Sequence, residues 1–198
     1  MDPRLRGDDG KFDPGQVDTV ARNFARPRTP PMTHDIRLEP LAESDFTTVA
    51  RLADTIWRAH YSSMISMAQI DYMLDGRYVP ERMRQYLDSD QRWMWVLHVD
   101  GEPAGYCSCS LSDDDAMKLE QLYLLSTHKG QGLGGAMLRH VEAQARALRR
   151  SRLYLTVNKG NTDSIAIYRR SGFVVREEAV FDIGNGYVMD DYVMEKRL

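Results

Sequence analysis

The feature that most constrains this chain is a glycine-rich segment, Lys129-Gly130-Gln131-Gly132-Leu133-Gly134-Gly135-Ala136, set between an apolar run and an amphipathic one. Upstream, residues 118–125 pattern as a strand. Downstream, Leu133, Met137, Val141 and Leu148 fall on one face of a helix expected over 133–148. Glycines at such a junction let successive backbone N–H groups point into one concavity, and the helix start adds roughly half a positive charge. Together they form an anion site suited to a pyrophosphate. The other readings of a bare Gly-x-Gly are a flexible loop before a helix and tight helix–strand packing. A P-loop would need Gly-Lys-Ser/Thr, which is absent. A Rossmann fingerprint would need a third glycine at position 137 and a place after the first strand, whereas this segment follows four strands.

The flanking pattern extends from residue 36 to the C-terminus. Residues 36–41 alternate like a half-buried strand, and Ser44-Asp45 offers a helix N-cap. Phe46, Val49, Ala50, Ala53, Ile56 and Trp57 then recur at helical spacing. Two shorter helices are expected over 68–74 and 80–87, separated by a break at Gly76-Arg77-Tyr78. Strands follow over 93–99 and 104–111, joined by a turn at Asp100-Gly101-Glu102-Pro103. After the glycine segment and its helix come a strand over 153–157 and a helix over 161–171 that Gly172 ends. Two last strands are expected over 173–180 and 192–196, with Gly184-Asn185-Gly186 in the turn. The order is β α α α β β β α β α β β, a mixed α/β (α+β) domain covering residues 32–198.

Residues 1–31 differ. They hold Pro3, Pro14, Pro27, Pro30 and Pro31, five of the chain's 8 prolines, with few large apolar side chains. Such a stretch buries too little surface to offset the entropy of ordering, so a flexible N-terminal tail is expected. The formal net charge of −3 gives no reason to expect a nucleic-acid partner. No apolar run approaches the ~20 residues of a membrane helix, and no signal-peptide core is visible. The two cysteines, Cys107 and Cys109, stand at i and i+2, a spacing that rarely bridges and matches no zinc motif. A cytoplasmic setting without membrane or metal is the expectation. Asp113-Asp114-Asp115 reads as a solvated turn.

The arrangement resembles the GCN5-related N-acetyltransferase family, whose signature is Arg/Gln-x-x-Gly-x-Gly/Ala at a strand-to-helix junction. Here it stands as Lys129-Gly130-Gln131-Gly132-Leu133-Gly134, with lysine keeping the positive charge. Downstream, Asn158-Lys159-Gly160-Asn161, Ala166-Ile167-Tyr168 and Ser171-Gly172-Phe173 look like the family's Asn…Ala-x-x-Tyr-x-x-x-Gly-Phe segment. Tyr168 falls one step early relative to the alanine, while its distance to Gly172-Phe173 fits. The resemblance implies a sheet of about seven strands, mixed and mostly antiparallel, with splayed central parallel strands, flanking helices and acetyl-CoA in the gap. The residues it implies for acetyl-CoA are Leu124, Leu125, Lys129, Gly130, Gln131, Gly132, Leu133, Gly134, Gly135, Asn161 and Tyr168. Family members often dimerise, so a homodimer carries over as an expectation.

Acetyl transfer asks for three things: removal of a proton from an amine of pKa near ~10, a donor for the carbonyl oxygen, and help for the departing thiolate. The resemblance places Tyr168 beside the CoA sulfur as the acid, against the alternative of a ring packed on the sheet. It places the oxyanion donor at a backbone N–H near Leu124–Leu125. Glu120 shares a strand face with Leu122 and Leu124 on strict alternation and is the candidate base, the alternative being a surface charge beside Lys118. Asn161 is read as a helix cap that also contacts CoA. His128 is read as a phosphate-side or solvent group. For the acceptor pocket the candidates are Trp57, Tyr61, Tyr72, Tyr78, Tyr187 and Tyr192 with Asp190 and Asp191, a set that suits a cationic amine or belongs to core and rim. A small amine or polyamine is the first choice of acceptor and a protein N-terminus or lysine the second. A non-catalytic acetyl-CoA-binding module is the reading of another class.

Overall fold

The computed structural model describes residues 34–112 and 115–198; the expected tail over 1–31 and the Asp113-Asp114 pair lie outside them. The elements are β1 (Ile36–Pro40), α1 (Phe46–Tyr61), α2 (Met67–Arg77), α3 (Pro80–Met83), β2 (Arg92–Val99), β3 (Glu102–Leu111), β4 (Ala116–Leu124), α4 (Leu133–Ala147), β5 (Arg152–Asn158), α5 (Thr162–Arg170), β6 (Val174–Gly184) and β7 (Tyr187–Arg197).

Three local expectations are corrected. Ser44-Asp45 does not cap α1: residues Glu43–Asp45 form a 3₁₀ turn, and the Asp45 carboxylate accepts the Ala42 N–H at 2.9 Å. Gly76-Arg77 does not break a helix, because α2 runs through it. It stops at Tyr78, whose ring is buried and whose hydroxyl meets that of Tyr106 at 2.7 Å. Tertiary packing here outweighs the roughly 1 kcal/mol that a helical glycine costs. The last hairpin is longer than its apolar pattern, since β6 and β7 continue to a turn in which Gly184, Asn185 and Gly186 all have positive φ.

The seven strands form one sheet in the order β1-β2-β3-β4-β5-β7-β6. Every pairing is antiparallel except β4 with β5, which run parallel. That pair is joined only at Ala116↔Arg152, Met117↔Leu153 and Lys118↔Tyr154. Beyond Lys118 the two strands part, while β5 keeps its register with β7 as far as Asn158↔Asp191. The sheet is therefore open at its centre on the C-terminal side of both parallel strands.

A β-bulge in β4 fixes which side chains face the opening. Ser108 pairs with Gln121 but Cys109 with Leu119, so Glu120 is the extra residue. Before the bulge, Met117 and Leu119 pack in the α4-side core with Met137, Leu138 and Val141; after it, Leu122 and Leu124 do. The core on the other face holds Val49, Trp57, Ile70 and Met83 from α1–α3 against Met94, Val96 and Tyr106 of the sheet. The opening thus lies between two cores, with α1–α3 covering one face and α4 and α5 the other.

Candidate active site

β4 ends at Leu124, and the chain passes through a 3₁₀ turn, Ser126–His128, into the glycine segment. Gly130 and Gly132 have φ of +79° and +78°, a region that costs a residue with a side chain roughly 1–2 kcal/mol. A Cβ at either position would meet nothing within 4 Å, so backbone direction is what the glycines supply. α4 starts on Gly132, which has no side chain to cap it, and the first bond inside the helix is Ala136 N–H to Gly132 O at 3.1 Å. The amides of Leu133, Gly134 and Gly135 have no partner among the described residues and face outward from the helix start, a ready anion cradle. Lys129, Gly130, Gly132, Gly134 and Gly135 line the cleft. Gln131 does not; its side-chain amide reaches back to Thr127 O at 3.3 Å and staples the loop. The Leu133 side chain is buried in the core, leaving only its amide for a ligand.

From the cradle a cleft of about 590 Å³ runs between the diverging strands. Leu124 is on its wall. The Leu125 N–H donates to Ala104 O at 2.9 Å inside the sheet. Alternation along the strand turns the Leu124 N–H to the opposite edge, toward the opening. Of the two amides considered for the oxyanion donor, the one at Leu124 is thus the one not consumed by the β3–β4 ladder.

Tyr168 enters from the other wall. Asn161 caps α5 by accepting the Ser164 N–H at 3.3 Å, and Gly172, at φ +93°, ends the helix. Phe173 N–H closes onto Tyr168 O at 3.0 Å, and the two rings meet edge to face at 5.7 Å. The half-buried Tyr168 is fixed in this way on the wall of the cleft, and desolvation, helped by nearby Tyr123, holds its phenol above the usual value of 10. Asn161 is buried on the same wall beside His60, whose imidazole is held low by burial and by the charge of Lys129.

The two carboxylates of the cleft differ in kind. Glu120 does not share a face with Leu122 and Leu124, because the bulge reverses the alternation at that residue. It faces the 3₁₀ turn Arg84–Tyr86 that follows α3: Tyr86 donates to its Oε2 at 2.7 Å, and Ser110 of β3 to its Oε1 at 2.9 Å. Asp191, opposite Asn158 on β7, is 5% exposed, and its Oδ1 has no hydrogen-bond partner. Desolvation first and the Asp190 charge second push its carboxyl up to about 6, while Lys118, Arg77 and Lys159 pull the other way.

Aromatic rings line the space between these groups. Trp57 meets Tyr61 at 5.1 Å, Tyr123 at 5.5 Å and Tyr78 at 6.1 Å, and the Tyr61 and Tyr123 hydroxyls stand 3.4 Å apart. Of the candidates for the acceptor side, Trp57, Tyr61 and Asp191 are on the wall; Tyr72, Tyr78, Tyr187, Tyr192 and Asp190 are not. Tyr72 instead bonds Ile183 O at 2.9 Å and leans on Tyr187, while Tyr78 belongs to the core. Tyr123, Arg77, Met73 and Met189 also line the wall and are not among the candidates read from the sequence. Tyr123 follows the bulge, so strict alternation assigns it to the wrong face; no local signal marks the other three.

This sheet, parted between two parallel strands beside an uncapped glycine-lined helix start, is the fold of an acetyltransferase. The model of the acetyltransferase (GNAT) family matches residues 54–173, and the chain belongs to that family. Streptothricin acetyltransferase of Streptomyces lavendulae is 32% identical over 87 residues, 43% of this chain and 46% of that protein. An uncharacterized N-acetyltransferase of Lactobacillus delbrueckii subsp. lactis is 27% identical over 113 residues, 54% of this chain and 65% of that one. The chain spans about half the length of the curated relatives it matches. The PaiA N-acetyltransferase of Thermoplasma acidophilum, solved with coenzyme A, shares the fold with a TM-score of 0.70 at 20% identity, over 82% of this chain and 99% of that one. No helix among the described residues is long and apolar enough to cross a membrane.

Proposed function

We propose that the protein transfers the acetyl group of acetyl-CoA to a small primary amine by direct attack on the thioester. The observation that carries this reading is the continuity of one cleft from the free amides at the start of α4 to the unpartnered, buried carboxylate of Asp191. The first end fits the pyrophosphate of CoA, with Lys129 and the amides of 133–135 as its donors. The second end fits an amine: a carboxylate without a partner gains one when an ammonium arrives, and the rings of Trp57, Tyr61 and Tyr123 suit a cation.

Within this reading Asp191 accepts the proton of the bound ammonium, and the neutral nitrogen attacks the carbonyl carbon. The Leu124 N–H stabilises the oxygen as it gains charge. Tyr168, kept protonated by its surroundings, gives its proton to the leaving thiolate and recovers one from the nitrogen, while Asp191 releases its own to solvent. Glu120 is the less apt base, because both of its oxygens are already taken up by hydrogen bonds from Tyr86 and Ser110. The buried free thiols of Cys107 and Cys109 fit a reducing compartment, which favours the cytoplasm. The test is incubation with acetyl-CoA and a panel of amines, following thiol release and product mass. Acetylated small amines are expected. Transfer only to peptides would move the acceptor to protein N-termini or lysines, and tight CoA binding with no transfer to anything would leave a binding module.

A further inference from the structure

A second cavity, of about 270 Å³, opens beside the middle of β4 and shares Arg77, Glu120, Gln121 and Thr156 with the main cleft. Its floor is built by the register of the sheet. Arg92 pairs with Ser110 across β2–β3, and Ser110 pairs with Lys118 across β3–β4, so the three stand in a row on the α1–α3 face. Its roof is Arg77, from the end of α2, and Arg82 on α3. Four cations therefore surround one carboxylate, Glu120, which Tyr86 and Ser110 already hold. Among the described residues, Arg77, Arg82, Arg92 and Lys118 have no ion pair within 4.0 Å; Arg77 stacks on the Trp57 ring, 5.8 Å from its guanidinium carbon, and Arg77 and Lys118 act on Asp191 only at longer range. In a chain whose formal net charge is −3, this concentration of unpaired positive charge in a concave site is a focus for an anion.

From these observations we infer that the second cavity binds an oxyanion, a carboxylate or phosphate, carried by the acceptor itself. The phosphates of CoA are poorly placed to be that anion. Its β4 lining runs from Lys118 to Gln121, six to three residues before Leu124, and at about 3.3 Å per residue this puts the cavity roughly 10–20 Å from the strand end that leads to the cradle. The shared wall at Glu120 and Gln121 lets one acceptor place its amine beside Asp191 and Tyr123 and its oxyanion among the arginines. This inference rests on the acetyl-transfer reading and narrows it: the acceptor is an amine with an acidic group, and polyamines are poorer substrates.

The test compares three acceptors of equal chain length at saturating acetyl-CoA: a plain alkylamine, an ω-amino acid and an ω-aminoalkyl phosphate. The anionic acceptors are expected to exceed the plain amine in kcat/KM by about tenfold or more, the better of the two identifying the oxyanion. The double variant Arg82→Gln/Arg92→Gln should remove that advantage, leave the plain amine within about twofold, and melt within about 2 °C of wild type. No advantage for the anionic acceptors, or one that survives the double variant, overturns the inference. If none of the three is acetylated, the small-amine reading fails separately. The cavity is then tested by calorimetric titration of acetate and of inorganic phosphate into the full chain saturated with CoA. Binding that the double variant loses supports the site, and no binding to wild type overturns it.

Discussion

The two ends of the cleft are built from different materials. At the cradle, backbone does the work: two residues at positive φ and a helix start without a capping side chain leave a run of amides open, all within residues 129–135. At the acceptor end side chains do it, and they come from α1, α2, β4 and β7, from Trp57 to Asp191. A backbone site is indifferent to what else the ligand carries and suits a constant partner such as CoA. A side-chain site can be rewritten one residue at a time and suits a particular acceptor. The comparison also separates two carboxylates that look alike in sequence: Glu120 is satisfied on both oxygens, whereas Asp191 is buried with one oxygen bare.

The largest effect should come from Tyr168, which sits where the two ends meet. Tyr168→Phe is expected to lower kcat by roughly 10²–10⁴-fold while the KM for acetyl-CoA changes little. Steady-state kinetics beside a thermal melt checks this; near-native kcat would reduce Tyr168 to a packing ring against Phe173.

Asp191→Asn should act in opposite directions on function and stability. Loss of the carboxylate is expected to cut kcat/KM for the amine by about 10–100-fold, the worth of a hydrogen bond to a charged group. Stability should rise. A carboxyl held near 6 in the folded protein, against 3.8 for the unreacted side chain, costs stability once ionised. That cost is full above about pH 6 and fades as pH falls toward about 4, because the folded state then binds the extra proton. At pH 8 the variant should gain on the order of 2–3 kcal/mol, and its denaturation midpoint should depend less on pH between 4 and 6. In the wild type, kcat/KM should climb as pH passes about 6; an unchanged profile in the variant would remove Asp191 from the chemistry.

At the cradle, Gly132→Val forces a β-branched residue toward φ +78°. The loop relaxes away from that conformation and CoA must restore it, so affinity should fall by about tenfold in a calorimetric titration. Unchanged affinity with an intact fold would show that the glycines serve only the turn. Glu120→Gln should be the mildest change, a loss in kcat/KM of less than about tenfold, because the amide still accepts from Tyr86 or Ser110. A loss as large as that at Tyr168 would restore Glu120 as the base.

The same contrast explains what could be read from the chain. Strand and helix order and the glycine segment follow from local periodicity and from contiguous spacing, whereas the open seven-stranded sheet follows only from the family resemblance. The Asn161 cap and the Gly172 stop were legible because each acts within its own helix. Alternation places Glu120 on the wrong face because a bulge is invisible to it: one extra residue moves every later side chain across the sheet. Tyr123, on the cleft wall, was missed for the same reason. Residue type alone draws Tyr72 and Tyr187 toward the pocket, whereas Tyr72 bonds Ile183 O of β6 and the two rings lean on each other, a pairing set by a register the sequence does not display. Asp191 was named only as one of an acidic pair; its lack of a partner is a property of three surrounding elements.

The central claim is that the cradle and the acceptor end act on one bound pair of molecules. The direct measurement is release of CoA thiol from acetyl-CoA by the full chain, with and without a primary amine bearing an acidic group, alongside mass analysis of the amine. The account predicts thiol release that depends on the amine and matches, one for one, an acetylated product. Thiol release that ignores the amine, or saturable CoA binding with no acetylated product from any amine, would contradict it.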